Sequence, residues 1–366
     1  MLVATYAVVV VGGLDYTTSM AQQQGSEESR ADEGRTLVKV GRVLLNYGKL
    51  PAAVAVSGGL GWLAIRGLEW GLVGENLADV SPPLLALAFA VFMFAGWLRA
   101  VRWRVLFTTE RISIARLFIV QHEGLGLSNV MPFRVTSEMT QLAVLTLKDG
   151  VRGATALATL GMERVVDVLA STMILGVAFF LVPEMKNFTI FIWGAIAFTV
   201  LAIGVVRIFA WSESLALVNR FKFLAAFAGA VKELERERLR LLISLGVSIL
   251  YWMLVGVTSW VIALAVDLPI SPLAATVVIM GTIFFATAVP AAPSAVGSFE
   301  FAIVYVLGFF GIDKADAFGF AVICHVVFFL PATIIAAIFL PREGVGSFRK
   351  MRSMAGWVLG AARRSS

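Results

Sequence analysis

Apolar runs of the length that spans a bilayer, about 20 residues, recur along this chain with short polar segments between them. The pattern predicts membrane spans over about 50–68, 82–98, 155–183, 188–210, 241–266 and 316–340, with further apolar runs at 271–290 and 299–311. Two stretches depart from it. Gln121 to Glu138, QHEGLGLSNVMPFRVTSE, is an apolar run interrupted by a histidine, two glutamates, an asparagine, a proline and an arginine. Ala288 to Glu300, AVPAAPSAVGSFE, has the same character. An ionisable side chain at bilayer depth costs roughly 2.5 kcal/mol or more unless it faces a cavity or a partner. The working site is therefore expected in these broken segments.

Composition fixes the class. Hydrophobic residues make up 59% of the chain and charged residues 15%, against about 25% charged in a soluble domain; mean hydropathy is +0.88. The net charge of +6 does not point to nucleic acid, because the basic residues lie between hydrophobic segments, where the positive-inside rule accounts for them. Arg35, Lys39, Arg42 and Lys49 precede the first span and place the N-terminal segment in the cytoplasm. Glu69, Glu75 and Asp79 follow it, as expected outside. Arg99, Arg102, Arg104, Arg111 and Arg116 then mark the clearest cytoplasmic loop, and residues 207–240 the next one. The spans at 155–183 and 188–210 account for one trip out and back between these loops, so residues 117–150 must enter and leave on the cytoplasmic side. A re-entrant helical hairpin fits this better than two full spans, since irregular backbone at depth is tolerated only where protein buries it or it lines a cavity; two short spans satisfy the same parity. The runs flanking 288–300 form a second hairpin, entering from outside. Opposed hairpins are the pattern of an inverted repeat, in which discontinuous helices meet near the midplane, and Pro132 precedes Glu138 much as Pro293 precedes Glu300.

The expected fold class is all-α: a polytopic integral membrane protein with about seven full transmembrane helices plus two broken, re-entrant helical hairpins. Residues 1–35 are expected to be poorly ordered, with Met20 a candidate for the true start; 36–341 form the transmembrane domain, and 342–366 a basic cytoplasmic tail. The charged segment VKELERERLRLL reads as a solvated or interfacial helix. Cys324, the single cysteine, reads as a small buried hydrophobe.

Three groups carry candidate chemistry. Asn129, Pro132, Arg134 and Glu138 come first: proline breaks the helix and frees backbone groups, Arg134 offers a planar fork of donors suited to phosphate, and Glu138 either neutralises it or accepts from a head group. A structural Arg–Glu pair closing the hairpin tip is the plain alternative. Glu163, Arg164 and Asp167 are spaced to share one helix face, as an ion-pair cluster or a phosphate head-group site. Pro290, Pro293, Gly297 and Glu300 repeat the first group's logic, with small residues that permit close approach. Glu300 has no arginine nearby in sequence and needs a distant partner. His122, Glu123 and His325 lack the spacing of a metal motif; His325 reads as a hydrogen-bonded interior residue. There is no nucleotide-binding loop and no nucleophile motif, and no cofactor is expected.

An arginine-rich RxxRWRVLF, then N-x-x-P-x-R…E, then ER-x-x-D, then P-x-x-x-G-x-x-E run in order through the chain. Together they resemble the lysylphosphatidylglycerol synthetase transmembrane region, a flippase-like family, over about residues 45–340. The resemblance points to Arg102, Asn129, Pro132, Arg134, Glu138, Glu163, Arg164, Asp167, Pro293, Gly297 and Glu300. The step Arg134-Val-Thr-Ser137-Glu138 is one residue longer than the family's usual one, with serine for glycine, and Thr140 and Gln141 stand where another arginine is common. In fused members this module resembles a lipid flippase joined to a soluble aminoacyltransferase domain. Only about 25 residues follow the last span here, too few for such a domain, so synthase chemistry is not expected and the chain reads as a non-enzyme. The expected function is translocation of a membrane lipid or a lipid-linked phosphate carrier in the inner cell membrane, with N- and C-terminal segments cytoplasmic. The alternatives are a non-transporting membrane partner of a glycosyltransferase or aminoacyltransferase, and a membrane transferase acting on a polyprenyl-phosphate carrier.

Overall fold

The structure, a computed structural model, describes residues 51–131, 136–212, 222–289 and 292–343. Apart from the first residues of α1, everything below lies in the compact unit Val56–Ser366. Among the described residues all regular structure is helical. The helices are α1 (Pro51–Ile65), α2 (Trp70–Ala78), α3 (Pro82–Leu106), α4 (Ile114–Val130), α5 (Thr136–Leu147), α6 (Gly153–Leu181), α7 (Thr189–Ser212), α8 (Lys222–Arg236), α9 (Arg238–Ala265), α10 (Pro272–Ala288), α11 (Ser298–Gly308) and α12 (Lys314–Phe339). Short 3-10 segments lie at Pro183–Phe188 and Pro293–Ala295.

Helix boundaries follow their local chemistry. Pro82 and Pro272 stand at the first helical position, where a missing N–H is harmless. Ser113, Ser271 and Asp313 cap α4, α10 and α12 by accepting from backbone N–H groups of the first turn. Among the described residues, α3, α6, α9 and α12 are long and apolar enough to cross a membrane. The pair α1 and α2, bent by 86° at its break, adds a fifth if it counts as one span.

Two sequence expectations change here. The segment carrying Glu69 and Glu75, read as a loop, contains α2. Asn76 donates to Asp316 at 2.6 Å and Trp70 meets Phe318 edge-on, which pins α2 to the start of α12. Lys314 also donates to the carbonyls of Leu63 and Arg66, satisfying the end of α1 with a positive charge where the helix dipole favours one. The second correction concerns α3, which continues to Leu106 rather than ending near residue 98. Arg99 and Arg102 are therefore buried in a helix, not exposed in a loop. Charge counting misplaced them because it cannot distinguish a solvated arginine from one that has found carboxylates.

The principal core lies among α3, α9, α10, α11 and α12 and includes Trp252, Ile262, Ile279, Phe299, Ile303 and Phe320. α8 places Val231 and Leu234 against Leu106, Met162 and Val166, so the alternating charges beside them stay on its outer side. Over the region of the expected hairpin at 117–150, α4 and α5 pack together. α4 also lies against α12, and glycine makes that approach possible. A Cβ on Gly126 would sit 2.1 Å from the Ala332 carbonyl oxygen, closer than any real contact.

Candidate functional site

The buried charges gather where α3, α6 and α9 meet. Arg102, with no exposed surface, donates through Nη1 and Nη2 to both oxygens of Asp167 and through Nη2 to Glu163. Its Nη1 also donates to Ser248 Oγ at 2.7 Å, and Ser248 passes its own hydrogen to Asp167 at 2.9 Å. Trp252 Nε1, one turn along α9, completes the shell of Asp167 at 3.2 Å. Arg99, one turn before Arg102, donates to Glu163 at 3.0 Å, and Tyr251 lies under both guanidinium groups at 5.9 and 5.8 Å. Two positive and two negative side chains thus cancel in an apolar bundle, the condition under which such burial is tolerated. Arg99 Nη2 and Arg102 Nε remain buried donors without an acceptor.

Glu163, Arg164 and Asp167 do not act as one face. Glu163 and Asp167 turn to Arg102, whereas Arg164 donates to Glu138 of α5 at 2.6 Å. This correction has a geometric cause: adjacent positions on a helix point about 100° apart, so Arg164 leaves the face of its neighbour. The Arg164 side chain is 41% exposed and that of Glu138 15%, against 0% for Arg102. Glu138 is thus paired across helices. Arg134, its expected partner, and Pro132 lie outside the described residues, as does Pro290.

The two broken segments meet. Ser294 Oγ donates at 2.8 Å to the carbonyl of Asn129, in the last turn of α4. The Asn129 amide donates to the Phe329 carbonyl and to Thr333 Oγ1, both at 3.0 Å on α12. Ser294 and Ala295 hold φ of 55° and 56°, a left-handed conformation that costs a non-glycine residue roughly 1–2 kcal/mol. Gly297 follows at φ 83°, and a Cβ there would lie 2.3 Å from the Ser57 carbonyl oxygen. Glu300 Oε2 accepts from the Gly297 N–H at 2.6 Å, starting α11. Its Oε1 accepts from His325 Nδ1 at 2.5 Å, and Phe299 and Phe329 flank that imidazole. His325 is therefore the distant partner Glu300 requires. Both breaks share a local plan, an acidic residue in the first turn of the helix that follows: Glu138 in α5 and Glu300 in α11.

Sequence reasoning missed Arg99, Tyr251, Ser248 and Trp252. Ser248 and Trp252 are one turn apart on α9, a spacing that places two hydrogen-bonding groups on one face; that was the available signal. Among the described residues no group of three or more His, Cys, Asp or Glu side chains is arranged to hold a metal. His122 instead hydrogen-bonds the Phe118 carbonyl at 2.7 Å, one turn back along α4.

Long apolar helices around a charge-balanced interior, with polar groups joining two helix breaks, define a multi-pass membrane protein. The chain belongs to a known family of such proteins: the model of the lysylphosphatidylglycerol synthase TM region matches residues 51–336. No curated protein shows significant similarity to the chain.

Proposed function

We propose that this protein moves a phosphate-bearing lipid, a phospholipid or a lipid-linked carrier, between leaflets, with about seven spans and its two broken segments facing each other from opposite sides of the membrane. The observation that carries the reading is the junction of Asn129 with Ser294, 165 positions apart in sequence. Two interrupted helices that meet leave polar backbone near an apolar interior, as transporter substrate sites require. Arg164 is the candidate phosphate receptor, because its head group is accessible while that of Arg102 is fully buried against two carboxylates. Arg134, five residues after Asn129, is assigned the same task. Glu138 holds Arg164 until phosphate replaces it, and Glu300 governs the second break through Gly297 and His325. Glu163 and Asp167 hold the scaffold against which these groups move. Acyl chains stay in the bilayer throughout.

Leaflet exchange of fluorescent phospholipids and a labelled polyprenyl-phosphate analogue in proteoliposomes tests this. Native protein should exchange at least one of them, and Arg164→Gln, Arg134→Gln and Glu300→Gln, each checked for insertion and monodispersity, should lose that exchange at least tenfold. Native exchange that survives in all three variants removes the site. No exchange of either lipid by native protein favours a non-transporting partner of a transferase.

A further inference from the structure

Glu123 takes no part in the site above, yet it is the most isolated charge-bearing group on α4. It has no exposed surface, and neither carboxyl oxygen has a hydrogen-bond partner. Of its polar neighbours along α4, His122 bonds the Phe118 carbonyl and Asn129 bonds α12, while buried Gln121 leaves its Oε1 without a donor. An ionised carboxylate without a donor in such surroundings bears the full cost of desolvation, whereas a neutral acid does not. Structural buried acids in this protein are supplied with donors, as Glu163, Asp167 and Glu300 all are. Glu123 is left without any.

What lies around it suggests where a proton would come from. The charged groups that act on Glu123 are Arg116, Asp149 and Glu343. Arg116 sits two turns earlier on α4, Asp149 follows α5, and Glu343 follows α12. Arg116 bonds Asp149 at 2.9 Å and Glu343 at 2.5 Å, with side chains 23%, 18% and 13% exposed. This triad is a partly wetted mouth at the end of the hairpin, and two turns of α4, about 10 Å, separate it from Glu123. None of the charged groups on the other packed elements donates to Glu123. On α3, Arg99 and Arg102 are bonded to Glu163 and Asp167, though each keeps one buried N–H without an acceptor, and Arg104 bonds the Phe107 carbonyl. On α5, Glu138 is held by Arg164; on α12, Lys314 and Asp316 are engaged with α1 and α2, and His325 is held by Glu300. The 3-10 turn Pro293–Ala295 has no titratable side chain.

We propose that Glu123 is a proton-binding site of the α4–α5 hairpin, loaded through the Arg116–Asp149–Glu343 mouth. In the arrangement described, the carboxyl is neutral and the hairpin is seated against α12. Loss of the proton to water at the mouth leaves a carboxylate that this packing cannot satisfy, so the hairpin shifts until water or the Arg116 guanidinium reaches it. Proton release and hairpin displacement are then one event. The proposal extends the transport reading but concerns protonation, which is measurable whether or not lipid moves.

Infrared difference spectroscopy of the full chain in lipid nanodiscs, titrated from acid to alkaline pH, tests it. The expected result is a protonated-carboxyl carbonyl band near neutral pH that is absent from Glu123→Gln and disappears as pH rises. Glu343→Gln, at the partly exposed mouth, should move the disappearance of that band to lower pH, which keeps the test decisive if Glu123→Gln fails to fold. Native and Glu123→Gln spectra that agree at every pH overturn the proposal. A band that sodium removes at constant pH also overturns it, because the group would then be a cation ligand. If native protein exchanges no lipid but the band titrates as described, the proton site stands and the transport reading falls.

Discussion

The hydroxyl of Ser294 donates to the main-chain carbonyl of Asn129, joining the two interrupted segments of the chain at 2.8 Å. This bond is made at a non-glycine residue in a left-handed conformation, and Ala295 beside it is held the same way. The hydroxyl and the backbone strain can be separated by substitution. Ala295→Gly keeps the bond and relieves the strain, offset in part by the chain entropy of glycine, for a net gain of about 0.5–1 kcal/mol. Ser294→Gly loses the bond as well and should gain nothing. Reversible unfolding in mixed micelles should rank the two variants in that order.

Arg102 leaves two carboxylates behind when it is removed. Arg102→Leu should destabilise the protein by about 3–5 kcal/mol, the usual consequence of an uncompensated buried charge. Adding Asp167→Asn to the same chain leaves Arg99 paired with Glu163 and the cluster neutral, and should recover much of the loss despite the further substitution. Thermal unfolding followed by size exclusion compares the three proteins. A double variant less stable than Arg102→Leu alone would refute charge balance as the reason for the cluster.

Glycines at two helical positions should respond with opposite sign. Gly126→Ala pushes a methyl into the Ala332 carbonyl and should cost about 1–3 kcal/mol or more by overpacking. Gly161→Ala on α6 meets nothing within 4 Å and should stabilise by up to about 1 kcal/mol through helix propensity. The same unfolding assay reads both.

The Glu300–His325 contact is testable as a pair. A double-mutant cycle of Glu300→Gln and His325→Gln should give a coupling of about 0.5–3 kcal/mol, the range for residues sharing a hydrogen bond. A value within about 0.3–0.5 kcal/mol of zero would make the two residues independent.

The helices and their broken places were legible because membrane burial imposes a strong pattern: long apolar runs, and proline or glycine where they stop. Asn129, Glu138, Glu163, Asp167 and Glu300 could be singled out because polar residues in such runs need partners. The partners themselves were not legible. Arg102 finds Asp167 across 65 positions and Glu300 finds His325 across 25, and no local rule connects those distances. The charge pattern misled at Arg99 and Arg102 because a tally by sign assigns every arginine to the water. Arg164 was grouped with the residues on either side of it, although a helix turns it toward α5.

The separation of Arg102 from its partners also bears on how the chain is made. Arg99 and Arg102 leave the ribosome 61 to 68 residues before Glu163 and Asp167, an interval of roughly 3–14 s at ordinary synthesis rates. During that interval the end of α3 has no counter-charge, and an arginine at depth costs about 2.5–3.5 kcal/mol. Without those carboxylates the two arginines are expected to stay at the membrane surface until α6 is made. On that expectation α6, by supplying Glu163 and Asp167, is what allows the end of α3 to be buried.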